Sequence, residues 1–269
     1  MKIKQLIVIS LLMVSLVSCE KEQKKAKEES TKTEKFDYVV DQFADIKVLR
    51  YKIPSFEQLT LKEKKLAYYL TQACLSGRDI IWDQNYRYNL EIRKALEQVF
   101  NDFKGDRNSE DFKKFTTYLK RVWFSNGIHH HYSNDKIKPE FSKDYLVSLL
   151  KNVKAELSEP AFEVIFNDKD IKKVNKKAGV DNILASAVNF YSPDITDKDV
   201  EEFYAKAYKG PAKAYKGPKG QPIEVGLNSK LVRENGKLVE KVWKSGGMYG
   251  QAIDKIIFWL DKAKSVAEN

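Results

Sequence analysis

Apolar residues recur every three to four positions along most of the chain after residue 60, which is the spacing of helices that bury one face. The first such run follows Thr60-Leu61-Lys62-Glu63. This is the spacing of a capping box, in which the threonine and glutamate side chains each bond the other residue's backbone amide. We predict that this helix ends at Gly77. Further helices are predicted at residues 86–103, 109–123, 142–156, 168–177, 196–208 and 249–266.

The pattern changes to alternation near Ile223, in IEVGLNSKLVRENGKLVEKVWK. Alternating apolar and polar residues are typical of strands, and they lie on both sides of Asn235-Gly236, two residues that readily adopt positive φ. We therefore predict a β-hairpin with a two-residue turn. Just before it, AKAYKGP at 205–211 recurs unchanged at 212–218. The Gly-Pro pairs predict a surface loop with two turns, since one repeated copy does not make a repeat architecture.

The first 18 residues differ from the rest of the chain. Lys2 and Lys4 precede an apolar run that is too short to span a bilayer comfortably, and a small residue follows. This is the pattern of a secretory signal, and Leu16-Val17-Ser18-Cys19 resembles the bacterial lipobox. The resemblance implies cleavage before Cys19 and diacylglycerol on its thiol, which gives an exported, membrane-anchored lipoprotein of a bacterial cell envelope. An uncleaved anchor and simple secretion are the alternatives.

Residues 19–36 are rich in lysine, glutamate and small polar residues, and such a segment cannot bury enough apolar surface to order itself. We predict a charged flexible tether there, followed by one folded part at residues 37–269. Removal of residues 1–18 lowers the formal net charge from +10 to +8, since that segment contains two lysines and no acidic residue. Because acidic and basic residues are interspersed in the remainder, we predict a solvated mixed surface and no nucleic-acid partner.

Cys74 is one of only two cysteines in the chain. With Cys19 acylated, no intramolecular disulfide can form. Cys74 lies in the apolar-patterned stretch LAYYLTQACL, so we predict that it is a small buried residue and not a nucleophile.

All three histidines are consecutive, at His129, His130 and His131, within RVWFSNGIHHHYSNDKIKPEF. In an extended segment His129 and His131 share one face and His130 takes the other, whereas zinc needs three or four ligands around one ion. The spacing of acidic residues identifies none that would complete the set. Asn126-Gly127 predicts a turn just before the run. We therefore predict no metal site, and the alternatives are a surface or cleft-side loop and a plain structural role.

Other catalytic motifs are also missing from the sequence. The chain contains no GxSxG, no P-loop and no GxGxxG pattern. Carboxylate pairs are uninformative in a chain with 38 acidic residues. The residues taken alone therefore identify no active site.

Three long segments and the last three residues have a distinctive sequence. They are CLSGRDIIWDQNYRYNLEIRKALE at 74–97, VWFSNGIHHHYSNDKIKPEF at 122–141, VGLNSKLVRENGKLVEKVWKSGGMYGQAIDKIIFWLDKA at 225–263, and AEN at 267–269. Taken together they resemble the bacterial dipeptidyl peptidase III family. The similarity runs through nearly all of residues 37–269 and corresponds to the N-terminal part of such an enzyme, less than half of a complete one.

The resemblance implies an α+β fold, mostly helical with a small antiparallel β-barrel or hairpin component, as in the lower lobe of that family. It also implies a zinc-dependent exopeptidase that releases dipeptides from the N-terminus of short peptides, across a cleft between two lobes. In the family, zinc is held by two histidines of an HExxGH motif and by a glutamate of a downstream EExRAE-like motif. Neither motif is matched here, because Tyr132 follows the histidines and Phe-Tyr-Ala follows Glu201-Glu202.

The C-terminal zinc lobe is therefore expected from a longer chain or a split partner, and this chain alone is predicted to contain no catalytic residue, to bind no metal and to be inactive. The resemblance places Asn126 and Tyr132 on a stretch that faces the cleft, as candidate peptide contacts. Two alternatives stay open: a non-catalytic peptide-binding lipoprotein, and a truncated product without function. The truncated product predicts an exposed apolar patch near the last helix.

Overall fold

The computed structural model describes residues 36–169, 173–207 and 228–268. The chain divides into two compact units, residues 1–53 and residues 54–269. Several predictions fall outside the described residues: the signal segment with Cys19, nearly all of the tether, and most of the AKAYKGP duplication.

The described part of the first unit is a β-hairpin that the sequence analysis did not predict. Strand β1 (Val39–Phe43) pairs antiparallel with strand β2 (Ile46–Leu49), and the turn between them places Ala44 at a φ of 47°. The register shifts between Val39 and Asp41, as in a β-bulge. Strands this short carry too few alternating positions to stand out in the sequence.

The described residues of the second unit form eight α-helices, a 3₁₀ turn at Phe56–Gln58 and a second β-hairpin. The helices are α1 (Leu61–Ser76), α2 (Arg78–Asn85), α3 (Asn89–Asp102), α4 (Glu110–Ser125), α5 (Lys143–Val153), α6 (Glu159–Phe166), α7 (Asp197–Ala207) and α8 (Gly250–Lys264). The hairpin strands, between α7 and α8, are β3 (Ser229–Glu234) and β4 (Lys237–Val242).

The predicted capping box of α1 is confirmed. The Glu63 N–H donates to the Thr60 hydroxyl at 3.2 Å, and the Thr60 N–H donates to the Glu63 carboxylate at 2.7 Å. Helix α1 ends before Gly77, as predicted, but the chain does not leave the helical region there. Gly77 has a φ of −88° and a ψ of −1°, so it bends the chain directly into α2, a helix that the sequence analysis missed.

The hydrophobic core lies between α3, α4, α5 and α6. Helix α3 contributes Ile92, Leu96 and Val99, which recur on one face and are completely buried. The other three helices contribute Phe112, Phe115, Leu119, Val122, Leu146, Leu149, Leu150, Ala161, Val164 and Ile165. Each large apolar side chain buried in this way stabilises the fold by about 1.5–3 kcal/mol. The core therefore provides a rigid support for the segments that connect these helices.

Between residues 155 and 180 the structure contains one helix that was not predicted and lacks one that was, as far as its residues are described. Helix α6 was not predicted, although Ser158 precedes it and a proline occupies its first turn. Conversely, a helix was predicted at 168–177, but the described residues 168–169 and 173–177 form turns and irregular backbone. Five of the ten residues at 168–177 are lysine and only two are apolar, so a helix there would have little to bury.

The predicted hairpin about Asn235-Gly236 is confirmed. Both residues have positive φ, 50° and 76°, as a two-residue turn of this kind requires. The segment that precedes α7 adds a parallel bridge from Tyr191 to Leu231 of β3. The fold is thus a mixed, mostly helical one with two small antiparallel hairpins. The described residues form no closed barrel, so the barrel alternative in the predicted fold is wrong for this part of the chain.

Helix α8 packs along α1, where Trp259 stacks on Tyr69 with ring centroids 6.0 Å apart. Ile257, Phe258 and Leu260 of α8 nevertheless remain 45–52% exposed. Cys74 on α1 is also exposed, so its predicted burial is wrong. Across the described ranges, none of the helices combines the length and the apolar character needed to span a bilayer.

Candidate functional site

The histidine segment begins at the tightly held end of α4. Asn126 adopts the left-handed region with a φ of 51°, and Gly127 follows with a φ of 151°, which confirms the predicted turn. The buried side chain of Asn89 bonds both sides of this turn. Its Nδ2 donates to the Asn126 carbonyl at 3.3 Å, and its Oδ1 accepts the Ile128 N–H at 3.1 Å. Helix α3 thereby fixes the direction in which the segment leaves α4.

The three histidines do not alternate as an extended strand would require. His129 is 3% exposed and lies edge-on against the buried ring of Tyr86, with ring centroids 4.8 Å apart. His130 and His131 are both exposed, and their ring centroids lie 4.3 Å apart. The expectation that His129 and His131 share a face is therefore wrong, because a tight loop replaces the extended backbone after His129.

Backbone hydrogen bonds close this loop. The His130 N–H donates to the Asp135 carbonyl at 2.7 Å, and the Ser133 N–H donates to the His130 carbonyl at 3.2 Å. The Tyr132 N–H donates to Nδ1 of His130 at 3.2 Å. Residues 130–135 thus form a compact turn that is held by two backbone hydrogen bonds and by one bond to the His130 ring.

Exposed rings project from the loop. The ring of His131 lies 4.2 Å from that of Tyr132 and 5.0 Å from that of Phe124. Tyr132 is 89% exposed, although a large ring normally gains by burial. We call His130, His131 and Tyr132 the ring cluster. A cluster of exposed rings on a fixed backbone is suited to contact a ligand.

Two members of the ring cluster, His131 and Tyr132, line an open groove of about 630 Å³. One wall consists of residues 131–134 and the other of residues 173–177. Tyr132, a predicted peptide contact, lines the groove. Asn126, the other predicted contact, lies at the C-terminus of α4 with an exposed side chain. A groove of this volume is within the usual range for small-molecule and short-peptide ligands.

The second wall contains three lysines that sequence analysis did not single out. Lys173 is partly buried, and burial lowers its pKa, whereas Lys176 and Lys177 are exposed. In the sequence these three residues belong to the lysine-rich stretch at 168–177, and nothing there indicates that they line a groove. The proximity of this stretch to the histidine segment arises from the tertiary fold.

The described residues do not fit a zinc ion. They contain no group of three or more histidine, cysteine, aspartate or glutamate side chains arranged to hold a metal. His130 and His131 are neighbours, but among the described residues no third side chain of these types completes a ligand set with them. Zinc chemistry is therefore not assigned to any described residue.

A second polar cluster joins Asp83 of α2 to residues that lie before, within and after the second hairpin. Asp83 accepts hydrogen bonds from the Tyr249 hydroxyl and from Nδ2 of Asn189, the latter at 2.9 Å. Lys230 of β3 donates to Oδ1 of the same asparagine. Burial lowers the pKa of Lys230, and the positive charge of Arg87 adds to this effect while Asp83 opposes it. These residues come from four separate parts of the sequence, so no local motif indicates the cluster.

The chain matches no protein-family model and no curated protein. Among solved structures it is similar to DPP III from Caldithrix abyssi, with 19% sequence identity and a TM-score of 0.43. The alignment covers 81% of this chain and 29% of that one, so this chain spans less than a third of the solved protein's length.

Proposed function

We propose that this chain is the peptide-binding, N-terminal portion of a lipid-anchored, zinc-dependent exopeptidase of the dipeptidyl peptidase III type. In this proposal the groove between residues 131–134 and 173–177 holds a short peptide. The zinc lobe belongs to a longer chain or to a separate partner. The observation that carries the proposal is the exposed ring cluster, of which His131 and Tyr132 line the groove and His130 lies against His131.

The ring cluster suits peptide recognition because its backbone is already ordered. Asn89 holds the start of the segment and the turn at 130–135 closes on itself, so a ligand would have to immobilise side chains only. Aromatic and imidazole rings offer large contact areas with few rotatable bonds, together with polar edges for peptide amides. Asn126 is the second candidate contact, at the other end of the segment.

The proposal assigns binding and orientation to this chain, and hydrolysis to the zinc lobe. Zinc would polarise the scissile carbonyl and activate water in such an enzyme. Since the described residues do not fit that ion, no chemical step is assigned to them. This division of labour predicts that the isolated chain binds peptides and does not cleave them.

The exposed apolar side chains of α8 favour this proposal over a free-standing peptide-binding lipoprotein. Ile257, Phe258 and Leu260 lose the benefit of burial unless another protein body covers them. A zinc lobe, on the same chain or on a partner, would supply such a body. A truncated product would expose the same residues, and it is distinguished by its inability to bind peptide.

The proposal is tested with the chain from residue 19 carrying Cys19→Ser, which prevents acylation. We expect saturable binding of short peptides by calorimetry and no release of dipeptides, with or without added zinc. Tyr132→Ala should weaken binding by about tenfold, because an exposed contact ring is lost. The matched control is Tyr51→Ala, which removes another exposed ring from the first unit. Absence of binding at millimolar peptide would refute the peptide-binding role, and dipeptide release would refute the predicted inactivity.

The anchor and the missing lobe are tested on the protein from its native cells. An intact mass equal to residues 19–269 plus lipid would support a separate zinc partner. A much larger mass would support a longer chain that contains the zinc lobe. Cys19→Ser should release the protein from the membrane fraction, and retention there would overturn the lipid anchor.

A further inference from the structure

Among the residues that the structure describes, the groove is lined by lysines and by no acidic residue. Lys173, Lys176 and Lys177 line it, and no aspartate or glutamate is among the lining residues. Within the described part of the chain, none of the three forms an ion pair. Three lysines therefore line one open groove, where their positive charges repel one another and favour an anion.

The neighbouring lysines, in contrast, have structural roles. Lys136 donates to the carbonyls of Val164 and Asn167 at 2.8 and 2.7 Å, at the end of α6. Lys138 pairs with Asp168 at 2.8 Å. Among the described residues, Lys136 and Lys138 thus have partners of their own, unlike the three lysines that line the groove.

Hydrogen bonds hold the lysine segment (residues 173–177) at two residues, Val174 and Asn175. Asn134 bonds the backbone N–H and carbonyl of Val174, at 2.8 and 2.9 Å. The Asn175 N–H donates to the Ser186 hydroxyl at 2.9 Å, and the Asn175 side chain donates to Asn182 at the same distance. The lysines thus extend from a preorganised segment, which reduces the entropy cost of binding an anion.

The partial burial of Lys173 agrees with an anion in the groove. Burial disfavours its charged form and lowers its pKa. An anion beside the ammonium group would stabilise the charged form, since an opposite charge nearby favours it. An anionic ligand would therefore offset the desolvation of Lys173.

We infer that the groove selects peptides through a carboxylate. The peptide carboxylate lies against Lys173, Lys176 and Lys177, while His131 and Tyr132 contact the adjoining peptide groups. This inference rests on the proposed peptide-binding function and adds the substrate class to it. Two sources supply the same chemistry: an acidic side chain, or the free C-terminus of a short peptide.

Four peptides of one sequence separate these sources. They carry either aspartate or asparagine at one position, and either a free or an amidated C-terminus. Binding is measured by calorimetry on the Cys19→Ser chain at low and high salt. We expect the peptide with no carboxylate to bind at least about tenfold more weakly than the best carboxylate peptide, with the difference shrinking at high salt. The carboxylate whose removal causes the loss of affinity is the one that the groove binds.

A charge reversal locates the effect in the groove. The double variant Lys176→Glu, Lys177→Glu should abolish the preference for carboxylate peptides. Both residues are exposed, so the fold is expected to persist. The control Lys94→Glu changes the charge of an exposed lysine on α3 and should leave the preference intact.

The outcomes separate this inference from the function on which it rests. Equal binding of all four peptides overturns the carboxylate preference and leaves the peptide-binding function standing. A carboxylate preference that survives the double reversal overturns the assignment to the lysine wall. If none of the four peptides binds, the peptide-binding function itself is overturned.

Discussion

The side-chain amide of Asn134 bonds both backbone polar groups of Val174, forty residues further along the chain. Its Nδ2 donates to the Val174 carbonyl at 2.9 Å, and its Oδ1 accepts the Val174 N–H at 2.8 Å. One side chain thus takes the place of a strand neighbour. The contact ties the histidine loop to the lysine segment, so the two walls of the groove are held at a fixed separation.

Asn134→Ala should loosen the groove with a modest effect on the whole fold. Two hydrogen bonds are lost, each contributing about 0.5–1.5 kcal/mol, and both are solvent-exposed. We expect faster hydrogen exchange at Val174 and weaker peptide binding, with a drop of about 1 kcal/mol in the free energy of unfolding. Mass spectrometry of exchanged peptides over 173–177 measures the first effect.

The control for this variant is Asn101→Ala, which removes an exposed asparagine from α3. It should leave exchange at Val174 and peptide affinity unchanged. Unaltered exchange at Val174 in Asn134→Ala would show that other contacts hold the lysine segment in place.

Gly127→Ala should destabilise the protein by about 2–4 kcal/mol, because it combines backbone strain with a clash. Gly127 has a φ of 151°, and a Cβ built on it would lie 2.6 Å from Cγ of the buried Asn89. The side chain of Asn89 would have to move and release both of its bonds across the turn. Urea unfolding followed by circular dichroism measures the loss.

Gly236→Ala serves as the matched control. Gly236 also has a positive φ, 76°, but a Cβ there would meet no atom within 4 Å. Only the backbone strain remains, which costs about 1–2 kcal/mol. Equal losses in the two variants would mean that the clash with Asn89 is relieved without cost.

Local features of the fold were predictable from the sequence. The capping box at Thr60, the Asn235-Gly236 turn and the turn at Asn126-Gly127 depend on residues within four positions of each other, and all three are confirmed. In each case the residue type itself favours the observed backbone conformation. Sequence analysis is effective where local preference and tertiary structure agree.

The candidate site was only partly predictable, because its geometry arises from distant contacts. The exposure of His130 and His131 depends on the burial of His129 against Tyr86, more than forty positions earlier in the chain. Likewise, the lysine segment is held against the histidine loop by the two bonds from Asn134 to Val174. Neither contact leaves a periodic pattern in the sequence.

The exposure of Cys74 gives a prediction opposite to the one drawn from its sequence context. The residue lies on the outer part of α1, although its neighbours Tyr69 and Ala73 are partly or fully buried. In the Cys19→Ser chain we expect one thiol to react with an aromatic disulfide reagent in the native state, at a rate close to that in denaturant. Cys74→Ser should remove this reaction and change stability by less than about 0.5 kcal/mol. A thiol that reacts only after unfolding would restore the predicted burial.

The bond from Tyr249 to Asp83 predicts a pH-dependent stability difference. Burial, aided by the hydrogen bond and negative charge of Asp83, raises the pKa of the Tyr249 phenol above its ordinary value of 10.0. Above about pH 10 the unfolded chain therefore loses a phenol proton that the folded chain retains, so the contribution of Tyr249 to stability decreases as pH rises. Phenylalanine has no such proton.

Tyr249→Phe should lower the free energy of unfolding by about 1–3 kcal/mol near neutral pH, because Asp83 loses a partly buried donor. The difference in unfolding free energy between wild type and variant should then shrink as pH rises above about 10, since only the wild type loses the Tyr249 contribution. Urea unfolding measures this free-energy difference at neutral pH and at alkaline pH. Tyr51→Phe, which alters a 74% exposed ring, should match wild type throughout. A gap that is constant or widens with pH would contradict the raised pKa, and the absence of any gap would contradict the bond.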